Sequence, residues 1–191
     1  MTGCARSNSV LIAIPCLLRG GTEVQTLALA RVLVQLGLEV DVICYHESDG
    51  GVVSEFRETG VDVQLLQLAR KSSLVKLIRK LRIHLHNAKP DIIHVQYLAP
   101  GALPIVAGRL AGVRNVFATV HQLWTAESYG WRARLILRTA AKLCTKFCCV
   151  SQAAEQSWFG NSAMLDPNDP IVLKRRHLTI HNTVDVEQIA K

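Results

Sequence analysis

Two adjacent glycines and one histidine are the residues best placed to do chemistry. Gly20 and Gly21 stand in the segment Arg19-Gly20-Gly21-Thr22-Glu23, directly ahead of a helical pattern. Glycine lets a backbone approach a ligand closely. The helix behind it, starting at Thr22, offers unpaired N–H groups and a positive dipole end, which suit a phosphate. The same residues also make an ordinary strand-to-helix turn. The G-x-G-x-x-G spacing of a dinucleotide loop is absent, and no Gly-Lys-Ser/Thr follows to make a Walker loop. His121 closes an apolar run that continues through Gln122 and Leu123 to Trp124. An imidazole at a strand end faces the ligand crevice, where it can bond a phosphate or hydroxyl and titrates near neutrality. A solvated loop histidine is the alternative. His94 lies inside another apolar run, so a core histidine with a backbone partner is expected there. Gln96, Tyr97 and Leu98 end that run and are candidates to line the crevice. Trp124, Tyr129 and Trp131 offer an acceptor-side wall, an interfacial anchor or plain core packing.

Other chemistries find little support. There is no nucleophile elbow, no HExxH and no pair of carboxylates with a shared site, and the Ser, His and Asp residues suggest no triad. Six cysteines are present with no C-x-x-C spacing. Cys144, Cys148 and Cys149 form a poor zinc set, because a second pair of ligands is missing. No metal and no permanently bound cofactor are expected. Four cysteines lie within apolar runs, as small buried hydrophobes do, which suits a reducing compartment and points to the cytoplasm. Residues 9–18 imitate the core of a signal peptide, but only Arg6 precedes them and no small-x-small cleavage site follows. They read as a buried first strand. No apolar run approaches the ~18 residues of a membrane span.

The elements that must position these residues alternate along the chain. Strands are expected over 10–15, 39–45, 61–68, 91–97, 115–121, 147–150 and 178–181. Helices are expected over 22–36, 52–58, 72–87, 100–112, 131–146 and 151–158, with a polar loop at 166–170. This order implies an α/β fold: a doubly wound, mostly parallel sheet of about seven strands with helices on both faces. In such folds ligands bind beyond the carboxyl ends of the strands, which selects the glycine loop and His121. No repeat or linker divides residues 1–191, so one domain is expected.

The formal net charge of +7 comes from 22 Lys+Arg against 15 Asp+Glu. Residues 70–89 hold seven of the basic residues and no acid, and residues 131–146 hold five with no acid. Such clusters favour anionic partners or are simply solvated helix faces. They lack interleaved aromatics, so no specific nucleic-acid role is expected.

Four segments together resemble one family in its own order. Ile14-Pro15 through Gly20-Gly21-Thr22-Glu23 resembles a first strand and glycine loop. Lys89 to Gln96 resembles "kPDiiHvH", with Gln96 where a second histidine is common. Val116 to Trp124 resembles "vvtvHdlw". Val150-Ser151-Gln152 and Thr179 to Asp185 resemble "vSe" and "viyNGVD", with Thr183 in place of the usual glycine. The family is glycosyltransferase family 4, of the two-domain GT-B architecture, and the resembling part is its N-terminal, acceptor-side domain.

The resemblance implies a Rossmann-like half of a GT-B fold. It implies retaining transfer of a sugar from a nucleotide-diphosphate sugar to a hydroxyl acceptor, lipid-linked acceptors being among those it implies. By resemblance Gly20, Gly21 and Thr22 lie near the diphosphate, and His121 is catalytic, contacting the transferred sugar or its phosphate. The basic helices resemble patches that touch anionic membranes, so peripheral contact with the inner face is a further expectation. The donor-binding domain with its E-x7-E motif has no counterpart before Lys191. The expectation is therefore a lobe with little activity alone, whose other wall comes from a donor-domain polypeptide. Two other readings remain: a non-catalytic membrane- or partner-binding module, and an NAD-type domain using Glu47 as a ribose-binding acid.

Overall fold

The structure is a computed structural model and describes residues 9–96 and 102–182. Seven strands form one sheet: β1 (Ser9–Ile14), β2 (Glu39–Cys44), β3 (Asp62–Leu65), β4 (Ile92–Gln96), β5 (Asn115–Val120), β6 (Lys146–Cys149) and β7 (His177–Thr179). Their order is β3-β2-β1-β4-β5-β6-β7, and every neighbouring pair is parallel. The chain winds outward from β1 through β2 to β3, then returns to β1's other side with β4. This reversal leaves a crevice at the carboxyl ends of β1 and β4.

Side-chain alternation along β1 feeds two cores. Val10, Ile12 and Ile14 join one core with α1 (Gly21–Gln35) and α2 (Gly50–Glu58), through Leu27, Ala30, Val52, Val53 and Phe56. Leu11 and Ala13 join the other, under α3 (Leu74–Ala88), α4 (Leu103–Leu110), α5 (Ala126–Ala141) and α6 (Gln152–Phe159). A strand buried on both faces must be apolar throughout, which is why 10–15 reads as an unbroken run. On α3, Leu77, Leu81 and Leu85 recur at helical spacing and are buried. Ser73, Thr125 and Ser151 cap α3, α5 and α6 by accepting first-turn N–H groups.

Three local expectations need correction. Helix α5 joins two helical pieces at Gly130 (φ 65°), a conformation that only glycine tolerates cheaply: an unexpected first turn from Ala126, capped by Thr125, and the expected helix from 131, which ends at Ala141 rather than 146. The 166–170 loop runs into a short helix, α7 (Pro170–Lys174), with Asp169 as cap and Pro170 in its first turn. Strands β3 and β7 are shorter than expected, and β7 begins at His177. Tyr97, Leu98 and Thr183 to Asp185 lie outside the described residues.

The five described cysteines are free thiols. Burial pushes Cys144 up to about 12 and Cys148 up to about 11, and raises Cys149 as well. Among the described residues no group of three or more His, Cys, Asp or Glu is arranged to hold a metal ion, and no helix is long and apolar enough to cross a membrane.

Candidate functional site

Strand periodicity sorts β4 and β5 into two faces. Ile93 and Val95, with Val116, Ala118 and Val120, enter the core under α3–α6. The alternate positions His94 and Gln96, with Thr119 and His121, face α1 instead. The register sets Gln96 beside Thr119. A cavity of about 280 Å³ opens on this side, lined by Ala28, Leu29 and Val32 of α1 and by the four polar side chains of the sheet. Ile180, His181 and Asn182 close its far edge.

The four polar side chains form a string. His121 Nε2 lies 2.9 Å from Gln96 Oε1, Gln96 Nε2 lies 3.5 Å from His94 Nε2, and His94 Nε2 lies 2.8 Å from Thr119 Oγ1. The backbone partner expected for His94 is thus replaced by a threonine hydroxyl, and the ring lines the cavity. Burial, reinforced by the nearby His121, pushes His94 down to about 4, so it is neutral at physiological pH. Burial also lowers His121, while the charge of Glu23 opposes the shift.

The glycine turn meets this string through Glu23. Gly20 is the N-cap of α1 in extended geometry (φ −157°), with no side-chain cap bond. Glu23, in the first turn, folds back over it: a Cβ at Gly20 would lie 2.6 Å from Glu23 Oε2. Cys16 Sγ donates to Glu23 Oε1 at 3.3 Å. Burial first, and then this carboxylate, raise the Cys16 thiol to about 12. A Cβ at Gly21 would meet nothing within 4 Å, so Gly21 leaves open space in front of the helix. Thr22 is half-buried, and its carbonyl accepts from Thr26 Oγ1 at 2.7 Å. Gly20, Gly21 and Thr22 follow the carboxyl end of β1, and His121 follows that of β5. They stand at the same edge of the sheet, separated by β4.

The aromatic residues divide. Trp124 Nε1 donates to the Gly130 carbonyl, and Arg134 lies 4.6 Å over its ring. Tyr129 packs on the buried Trp158, with ring centroids 5.5 Å apart. Trp131 is 67% exposed. Glu47 is bonded to Arg70 at 2.8 Å, and that bond holds its carboxyl below its ordinary value. It is committed to a surface ion pair. Thr119 carries no sequence signal of its own, and Glu23, the last residue of the glycine segment, reads in sequence as an ordinary first-turn acid.

Three solved structures share the fold at low identity. A protein of Anabaena, Alr3699/HepE, solved with UDP and glucose, matches with a TM-score of 0.64 and 17% identity over 94% of this chain and 46% of its own. A glycosyltransferase from Rickettsia africae gives 0.61 and 19% over 82% and 40%. MurG of Acinetobacter baumannii gives 0.56 and 12% over 77% and 42%. The chain spans less than half the length of each. No curated protein matches the sequence. The model of Glycosyltransferase Family 4 matches residues 19–162, well over half of the chain and inclusive of the glycine turn, both histidine strands and α6. The protein belongs to Glycosyltransferase Family 4.

Proposed function

We propose that residues 1–191 form one N-terminal domain that supplies the acceptor-side wall of a transferase cleft. The donor is a nucleotide-diphosphate sugar and the acceptor a hydroxyl, with retention at the anomeric carbon and no permanently bound cofactor. The donor is gripped mainly by a second domain, which a separate donor-domain polypeptide can supply. In this reading Gly20, Gly21 and Thr22 face the diphosphate, and His121 contacts the transferred sugar. The protein works in the cytoplasm. The observation that carries the reading is the convergence of the glycine turn and His121 on one edge of the sheet, close enough for Glu23 to bear on the imidazole. A one-walled crevice does not orient two substrates, and orientation supplies much of the rate. Mixing the chain with donor-domain polypeptides of the same family and offering labelled nucleotide sugars tests this. Transfer is expected in the mixture and little from either part. Absence of transfer across such partners and the common nucleotide sugars removes the reading.

A second reading, membrane contact, is favoured by one surface. Along α3, Val75 and Ile83 are exposed and border a groove with Leu110 at the end of α4, flanked by Arg79 and Arg82. Apolar side chains ringed by guanidinium groups fit an anionic lipid surface, where each basic residue contributes about 1 kcal/mol. The chain is expected to float with anionic vesicles and not with neutral ones. Reversing Lys76, Arg79, Lys80 and Arg82 to glutamate should abolish flotation. Equal recovery with both vesicle types ends this reading.

A further inference from the structure

We infer that Gln96 is a positioning residue: its amide fixes the His121 ring as the tautomer with its proton on Nε2, leaving the Nδ1 lone pair for a hydroxyl of the substrate. The argument is one of donors and acceptors. An amide oxygen only accepts, so the 2.9 Å contact between Gln96 Oε1 and His121 Nε2 requires a proton on that nitrogen. An amide nitrogen only donates, so His94 Nε2, 3.5 Å from Gln96 Nε2, must carry a lone pair. That nitrogen also receives the Thr119 hydroxyl at 2.8 Å. Thr119 also stands beside the Cys148 thiol, which burial keeps protonated. The string therefore has one sense. Thr119 and the Gln96 amide nitrogen both donate to His94, and the Gln96 amide oxygen accepts from His121, so the amide does not turn over unless both rings change tautomer.

The amide is only 3% exposed, so water does not compete for these bonds. Among the described residues, Glu23 from α1, His94 from β4, Cys148 from β6 and His181 beyond β7 are the titratable groups around this cavity. Of these, Glu23 favours imidazolium and burial opposes it. A neutral His121 with Nε2 engaged accepts at Nδ1. Its natural partner is a sugar or polyol hydroxyl, not a phosphate oxygen. This last step rests on the transferase reading; the tautomer does not.

The test is nitrogen NMR on the full chain with labelled histidine near neutral pH, the rings assigned by single histidine variants. His121 is expected to show a protonated Nε2 and a bare Nδ1, and His94 the reverse. Gln96→Leu should turn His121 into a mixture of tautomers. Gln96→Glu should keep the tautomer and raise the ionisation midpoint of His121, because a carboxylate favours imidazolium. A wild-type His121 protonated on Nδ1 overturns the inference whether or not the variants fold. So does an unchanged tautomer population in a folded Gln96→Leu. No substrate is needed, so a failed transfer assay and a failed tautomer assignment are separate results.

Discussion

Replacing Glu155 by alanine is expected to cost the fold about 1–3 kcal/mol, the range found when a buried hydrogen-bonding group is left without its partner. Glu155 is fully buried, on α6. Its Oε2 accepts from the Ala163 N–H at 3.0 Å and from Thr179 Oγ1 at 2.7 Å. Its Oε1 lies 2.6 Å from His177 Nδ1 and 3.6 Å from Arg175. One carboxylate thus ties α6 to the β7 edge strand and to the loop that crosses it. Alanine leaves the buried Thr179 hydroxyl and the half-buried Ala163 N–H and His177 imidazole without their acceptor, and the Arg175 guanidinium without its counter-charge. The His177 ring is stacked on Phe159 at 4.1 Å, which covers one of its faces. Denaturant unfolding checks the loss. Glu155→Gln, which keeps one acceptor oxygen, should lie between wild type and alanine. A midpoint for the alanine variant within error of wild type would show that the network adds nothing. The effect reaches the site, because β7 leads directly into Ile180, His181 and Asn182 at the cavity edge.

Glu155 also marks where sequence reading stops. In the sequence it follows a cap serine on a short amphipathic helix, where an acid is ordinarily solvated. Only the pairing of β6 with β7 brings Thr179 and His177 over it. The elements themselves are legible because their signals are local: an unbroken apolar run for β1, helical spacing on α3, the cap serine before α6. The Asp169-Pro170 pair carries a cap signal too, but its Pro, Asp and Asn neighbours read equally as loop chemistry. Site geometry is legible only in part. Period-two alternation already sets His94 and Gln96 on one face and Thr119 and His121 on one face. Which residue of β4 stands beside which of β5 is a tertiary fact, and the 25-residue separation of Gln96 from His121 hides their bond. The fold of Glu23 back over Gly20 is hidden for the same reason, since a glycine's missing Cβ gives no hint of what fills its space.

His121→Ala in the reconstituted enzyme is expected to lower kcat about 10²-fold, the loss that accompanies a substrate misplaced by roughly 1 Å. KM for the nucleotide sugar should change little if the donor is held mainly by the other domain. The fold should lose only about 1 kcal/mol, the net worth of the bond to Gln96. The pH profile separates a chemical role from a structural one. Burial holds the ionisation of His121 below its ordinary value, and Glu23 pulls it partly back. The ring is therefore neutral at and above neutral pH and gains its proton only below that. If the neutral ring accepts a substrate hydroxyl, kcat falls as pH drops through this depressed value. Glu23→Gln removes the charge that favours imidazolium, so the acid limb should move to lower pH, not higher. His121→Ala should erase that limb. An acid limb that survives in the alanine variant, or activity equal to wild type, takes His121 out of the site.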